Sequence, residues 1–256
     1  MNSWPRGRWT KPCPYWRNCT RNWRKRRSIP LAPAVEYQLA FCYWVNGEED
    51  KAIPLAEHGY RTHGDLFEKG SRGRLLGMCY LTSGRTEEGT HLFEESLKLL
   101  EAARPLAALT TRHTLELAAL YHDEQRWAEV SALLEKVLTG YQQGDIKGTI
   151  DNYDVFRVRW SLALAYWHEK RFDDVKKQLI RFRGYEPLFA RHPDWRQTAG
   201  QAGAILNYLE KYPQAVEAGD TSLEDIVGVV HDDWRYQGLV YKGPRAEGGW
   251  GAASGR

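Results

Sequence analysis

The chain has 256 residues, of which 42% are hydrophobic and 27% charged, and its net charge is +3. This is the mixture of an average globular protein with room for a substantial core, in one extended domain or two small ones. It excludes a membrane-spanning helix, because the longest apolar stretches, such as Trp160 to Trp167, are short and broken by charges; the irregularly spaced Cys13, Cys19, Cys42 and Cys79 point to a reducing compartment rather than a disulfide scaffold.

Residues 1–30 hold nine Arg or Lys and no acid, which leaves 27 basic residues against 33 acids, a balance of −6, for residues 31–256. Such asymmetry predicts that the two parts meet different partners. Four prolines, a glycine and scattered aromatics deny the first segment any helical or alternating period, so it reads as an extended arm. Within it Trp9, Trp16 and Trp23 are interleaved with Arg6, Arg8, Lys11, Arg17, Arg21, Arg24, Lys25, Arg26 and Arg27. Cations neutralise phosphates and release counterions, and aromatic rings stack on unpaired bases. Structured RNA offers both surfaces together, so these twelve residues are the candidate RNA-binding set. Two other readings fit the arm. An acid-free, Arg-rich N-terminus suits a mitochondrial transit peptide, although Pro5, Pro12 and Pro14 interrupt the amphipathic helix such a peptide needs. The arm could also hold an acidic protein surface or anionic lipid headgroups. The segment lacks the apolar run of a secretory signal.

From residue 34 the pattern becomes amphipathic helices separated by short polar breaks. Four stretches align in phase: LAFCYWVNGEEDKA (39–52), LGMCYLTSGRTEEG (76–89), LAALYHDEQRWAEV (117–130) and LALAYWHEKRFDDV (162–175). Each has a leucine, a small residue next to it (Ala40, Gly77, Ala118, Ala163) and a tyrosine four after the leucine. Thirteen after the leucine stands a small or β-branched residue, Ala52, Gly89, Val130 or Val175. Leucine and tyrosine four apart share a helix face, and the small residue admits a neighbouring helix. Gly47 and Gly84 fall where a left-handed residue ends the first helix, whereas copies three and four carry Gln125 and Lys170 there. The four leucines are spaced 37, 41 and 45 residues apart. The segment 140–154 reads as the longest linker.

This pattern resembles the tetratricopeptide repeat, whose helix-turn-helix unit carries L-G-x-x-Y, a glycine turn and a later small residue. The resemblance covers residues 34–185, with a degenerate fifth copy starting near Gln197; copy two, with Leu76, Gly77, Tyr80, Gly84, Gly89 and Phe93, matches best. Pentatricopeptide units lack the Leu-Gly-Tyr-Gly arrangement. What the resemblance implies is an all-α solenoid of helix pairs that binds a partner in a concave groove. The positions implied to face that groove include Tyr37, Phe41 and Trp44 in copy one, Arg74 in copy two, and Trp160, Leu164 and Trp167 in copy four. With a single cation among them, the set does not suit the carboxylate clamp of chaperone-tail receptors. It suits an amphipathic helix or strand from a partner, or else these aromatics pack internally against the chain's own arm or tail. Further along, residues 197–212 read as a helix ended by Pro213. Residues 222–230 read as a short helix with Ser222 and Asp225 spaced as a capping box, and the sequence from Gly243 as a tail.

No HExxH, phosphate-binding loop or Gly-x-Ser-x-Gly motif occurs, so the chain reads as non-enzymatic, with no cofactor and no small-molecule substrate. Cys13, Cys19, His58 and His63 could form a Cys₂His₂ set only across an unusual spacing, so no metal site is assigned. The expected organisation is a basic aromatic arm (1–33), a helical repeat domain (34–215) and a C-terminal extension (216–256). The expected role is a non-catalytic structural subunit of a large ribonucleoprotein, a mitochondrial ribosome by analogy. The arm would anchor to ribosomal RNA and the repeats would dock neighbouring proteins. The alternative is a cytoplasmic or mitochondrial adaptor or accessory subunit of a protein-only complex, such as a respiratory-chain assembly.

Overall fold

A computed structural model of the chain describes residues 33–62, 64–105, 107–146, 152–185, 187, 193–218, 221–228 and 230. The arm and the tail from Gly243 lie outside these residues. Every regular element among the described residues is a helix. One compact unit contains α1 (Pro33–Val45), α2 (Glu49–Thr62), α3 (Leu66–Thr82) and α4 (Thr86–Ala103). A second contains α5 (Ala108–Asp123), α6 (Trp127–Gln143), α7 (Asn152–His168), α8 (Phe172–Arg183), α9 (Pro193–Lys211), α10 (Pro213–Ala218) and α11 (Leu223–Val227). Within each unit successive long helices pack on one another, and α9 also receives α10 and α11.

The aligned stretches each build a helix, a tight turn and the start of the next helix. Leu39, Leu76, Leu117 and Leu162 are buried, as are the small residues beside them. Ala52, Gly89, Val130 and Val175, one turn into the second helices, are buried as well, so both sides of each crossing are fixed by side-chain size. Between α3 and α4 the approach leaves no room for a side chain at the crossing. A Cβ at Gly77 would lie 2.4 Å from Cδ2 of Phe93, and one at Gly89 would lie 2.6 Å from Cγ of Leu81.

All four turns use one hydrogen-bond scheme. The N–H groups of Glu48, Arg85, Arg126 and Arg171 donate to the carbonyls of Tyr43, Tyr80, Tyr121 and Tyr166 at 2.8–2.9 Å. The preceding residue closes the inner bond: Gly47 to Trp44, Gly84 to Leu81, Gln125 to His122 and Lys170 to Trp167, at 3.0–3.2 Å. This paired arrangement satisfies carbonyls that the helix end would orphan, and it needs a left-handed residue. Gly47 and Gly84 have φ of 73° and 86°, while Gln125 and Lys170 hold the same region at 57° and 59°. The turn geometry is therefore kept in copies three and four despite the missing glycines.

Several boundaries differ from the sequence reading. The 140–154 linker is shorter, because α6 runs on to Gln143 and stops at left-handed Gly144, and α7 resumes at Asn152. Ile146 then folds back into the core beside Gly140. The helix expected from residue 197 starts at Pro193, and Pro213 opens α10 as well as ending the run before it. In both cases proline's fixed φ and missing N–H suit the first helical position. The helix read over 222–230 spans only Leu223–Val227 and ends at Gly228, but its capping box forms as read: Ser222 Oγ accepts the N–H of Asp225, and the Asp225 carboxylate accepts the N–H of Ser222.

The turn scheme yields an expected outcome. Gln125→Gly and Lys170→Gly each remove left-handed strain, offset in part by the flexibility glycine adds to the unfolded chain, and should stabilise by about 0.5–1 kcal/mol. Gly84→Ala should destabilise by about 1 kcal/mol. Urea denaturation of the full chain reads both signs.

Candidate functional site

The residues proposed to line a partner groove are mostly packing residues. Of the seven, Trp44, Arg74, Trp160, Leu164 and Trp167 are buried, while Tyr37 and Phe41 are half-buried. Trp44 sits 5.8 Å from the Phe41 ring and donates its indole N–H to Thr82 Oγ1 at 3.1 Å, which ties α1 to the end of α3. In the other unit Trp160 packs 5.9 Å from Phe182 of α8, and Trp167 meets Phe172 edge-on at 5.3 Å. These rings stand on a helix face at the period a groove would require, yet Trp160 and Trp167 meet the adjoining helix of their own pair and Trp44 reaches the first helix of the next. Tyr37, Phe41, Trp44 and Arg74 lie in the first unit and Trp160, Leu164 and Trp167 in the second. The twelve arm residues of the RNA-binding set are outside the described residues, as are Cys13, Cys19 and His63.

Arg72 is a buried arginine that the sequence analysis did not single out. Its guanidinium lies 5.6 Å from the Tyr37 ring centroid and 3.9 Å from Glu68, and its Nη1 would be 2.9 Å from a Cβ at Gly59. It therefore joins α1, α2 and α3. The signal available was indirect, a glycine in α2 facing the space that a long side chain from α3 fills.

A second pattern also escaped the sequence reading. The residue after each left-handed turn position places a cation over the repeat tyrosine: Arg85 over Tyr80 at 3.7 Å, Arg126 over Tyr121 at 3.8 Å and Arg171 over Tyr166 at 4.1 Å. Each arginine also pairs with an acid three residues on, Glu88, Glu129 or Asp174. Copy one reverses the charges, with Glu48 at the arginine position pairing with Lys51, whose ammonium lies 5.4 Å from the Tyr43 ring. The tyrosine hydroxyls reach back to the preceding pair: Tyr80 donates to Glu57 at 2.9 Å and Tyr166 to Glu135 at 2.8 Å. Arg171 also reaches Glu135, at 3.1 Å. Burial, followed by the hydrogen bond to Glu135, pushes the Tyr166 phenol above its ordinary range, so it stays a neutral donor at every physiological pH. The sequence signal was present as GR-TEE, QR-WAE and KR-FDD, an arginine followed by an acid at the third residue.

Cys42 and Cys79 are buried; burial pushes Cys79 up to about 12, away from the reactive thiolate. The exposed His58 meets the buried Glu36 through Nδ1 at 2.8 Å, and His113 meets Glu116 at 3.4 Å with both side chains fully buried. Among the described residues no group of three His, Cys, Asp or Glu could hold a metal ion, and no helix is long and apolar enough to cross a membrane. A surface concavity lies between α8 and α9, lined by Ile180, Arg183, Gly203, Leu206, Asn207 and Glu210, with a volume of about 590 Å³.

At the copy-four turn Arg171 gathers Glu135, Glu169 and Asp174. Arg171→Met should cost about 1 kcal/mol, a modest figure because the guanidinium is part-exposed and screened. Tyr166→Phe should cost a similar amount by removing the phenol donor to Glu135, which then keeps only Arg171 of the two contacts described. A double-mutant cycle in urea should show that the two losses do not add.

No protein-family model matches the chain, and no curated protein matches it. Among solved structures it is similar to the nearly identical TPR-like repeats of a Podosopora anserina chain assigned as a kinesin light chain, with a TM-score of 0.52 at 19% identity over 77% of this chain and 95% of that one. A singly substituted form of the same repeats gives a TM-score of 0.53 at 19% identity, over 75% and 93%. With helix pairs, left-handed turns and small crossing residues in matching order, the chain has the TPR-like fold, an all-α fold of the solenoid class.

Proposed function

We propose that the chain is a non-catalytic docking subunit of a large ribonucleoprotein of the mitochondrial ribosome type. Its helical pairs hold neighbouring proteins and its basic arm holds structured RNA. The TPR-like fold suits protein–protein interaction, and the observation that carries the RNA half is the charge division of the sequence. Nine cations and no acid fall within residues 1–30, ahead of a body with an acid excess. The arm's interleaved tryptophans add stacking surfaces to that charge. A second reading, an adaptor or accessory subunit of a protein-only complex such as a respiratory-chain assembly, is supported by the solved neighbours, repeats of a chain assigned as a kinesin light chain.

Ultraviolet crosslinking of the intact protein in cell extract, with sequencing of attached RNA, separates the two. The expected result is crosslinking from residues 1–30 to one ribosomal RNA region. Replacing Arg24, Lys25, Arg26 and Arg27 with alanine should abolish it and flatten the log–log salt dependence of binding by about 3–4. Helicity by circular dichroism should be unchanged. Absence of RNA from a protein that still migrates in a large particle would favour the protein-only complex.

A further inference from the structure

Trp127 opens α6 immediately after the turn that ends α5, and two imidazoles from successive repeats hold its indole. His122, in the last turn of α5, meets the ring edge-on, with centroids 4.8 Å apart and planes at 89°. His168, the last residue of α7, stacks on it face to face at 4.1 Å and 7°. The three rings thus tie the turn of the third helix pair to the end of the fourth pair's first helix. We propose that this His–Trp–His stack is an acid-sensitive latch between the third and fourth repeats, closed while His122 is neutral and released when His122 takes a proton.

The two histidines respond to acid in opposite senses. His122 is 7% exposed, so charging it strips an imidazolium of most of its hydration. That burial holds its pKa below the ordinary histidine value, and the Asp123 carboxylate on the same helix opposes the shift without cancelling it. From the adjoining turn come Glu124 and Arg126, which pair at 3.3 Å. From the end of α7 come His168 itself and Glu169, the latter paired with Arg171 at 3.2 Å. His168 is exposed, and its protonated ring face-on to an indole gains a cation–π attraction. Protonation of His168 alone would therefore tighten the stack, so release has to come from His122. Because the folded-state pKa of His122 lies below its unfolded value, its contribution is complete above about pH 6.5. It is lost as the pH falls through that value toward the folded pKa.

The latch is independent of what the chain docks, and the full chain tests it directly. With fluorine-labelled tryptophan, the Trp127 resonance, assigned by its loss in Trp127→Phe, is followed between about pH 8 and pH 5. Urea midpoints are measured across the same range. The expected result is a Trp127 transition below about pH 6.5, accompanied by a falling urea midpoint, that persists in His168→Gln. In His122→Gln the transition should vanish and the midpoint should fall by less than about half as much as in the unaltered chain. A transition that survives His122→Gln, or that disappears in His168→Gln, would overturn the proposal. Should His122→Gln fail to fold, His168→Gln decides alone: persistence of transition and midpoint fall supports the latch, and loss of either overturns it.

Discussion

The close crossing within each helix pair is the constraint on which the rest of this protein depends. Two helices can approach so nearly only where one presents a residue with little or no side chain. Between α3 and α4 the limit is reached, since a Cβ on Gly77 would stand 2.4 Å from a fully buried Phe93. Ala40, Ala118 and Ala163 occupy the same place in the other pairs, each almost fully buried. With that distance set, the leucine before the small residue falls in the core and the tyrosine four later falls at the edge of the pair. The direction of the next helix then has to be set by a turn of fixed length.

That turn is where stability and connection meet. One pair of backbone hydrogen bonds ends the first helix of each of the four copies, and in copies two to four the next residue places a cation over the repeat tyrosine, while in copy one Lys51, paired with Glu48, lies near that ring. Because Tyr80 and Tyr166 also bond to acids of the preceding pair, each of these turns couples a repeat to the one before it. Stability of this kind comes from nearest neighbours in sequence order, as expected of a repeat architecture. The His122–Trp127–His168 stack belongs to the same class of contact, formed at a turn and reaching the following pair.

Much of this was legible in the sequence because it is periodic. The leucine, small residue, tyrosine and turn position recur in phase, and even Gln125 and Lys170, which lack glycine's freedom, keep the left-handed turn that their alignment required. The Ser222–Asp225 capping box was readable for the same local reason. The arginine after three of the four turns was periodic too, but its meaning depends on a tyrosine ring that only the closed turn brings within 4.1 Å or less. Arg72 was not legible as a junction, because only its Glu68 pair has a spacing within one helix, while Tyr37 and Gly59 come from two other helices. The aromatic positions of copy four show the opposite difficulty. Trp160 and Trp167 have the spacing of a binding face, and a buried stripe has that spacing as well; only the positions of Phe182 and Phe172 distinguish the two.

The crossing itself is open to a direct measurement, the urea stability of the full chain carrying Gly77→Ala together with hydrogen exchange in α3 and α4. A single methyl group is added where Phe93 leaves no room, so the expected loss is about 1–3 kcal/mol. Protection should fall first in α3 and α4, because the overpacked contact lies between them. Unchanged stability with unchanged protection would contradict this picture, since it would mean that the helices of this pair do not approach as closely as their small residues allow.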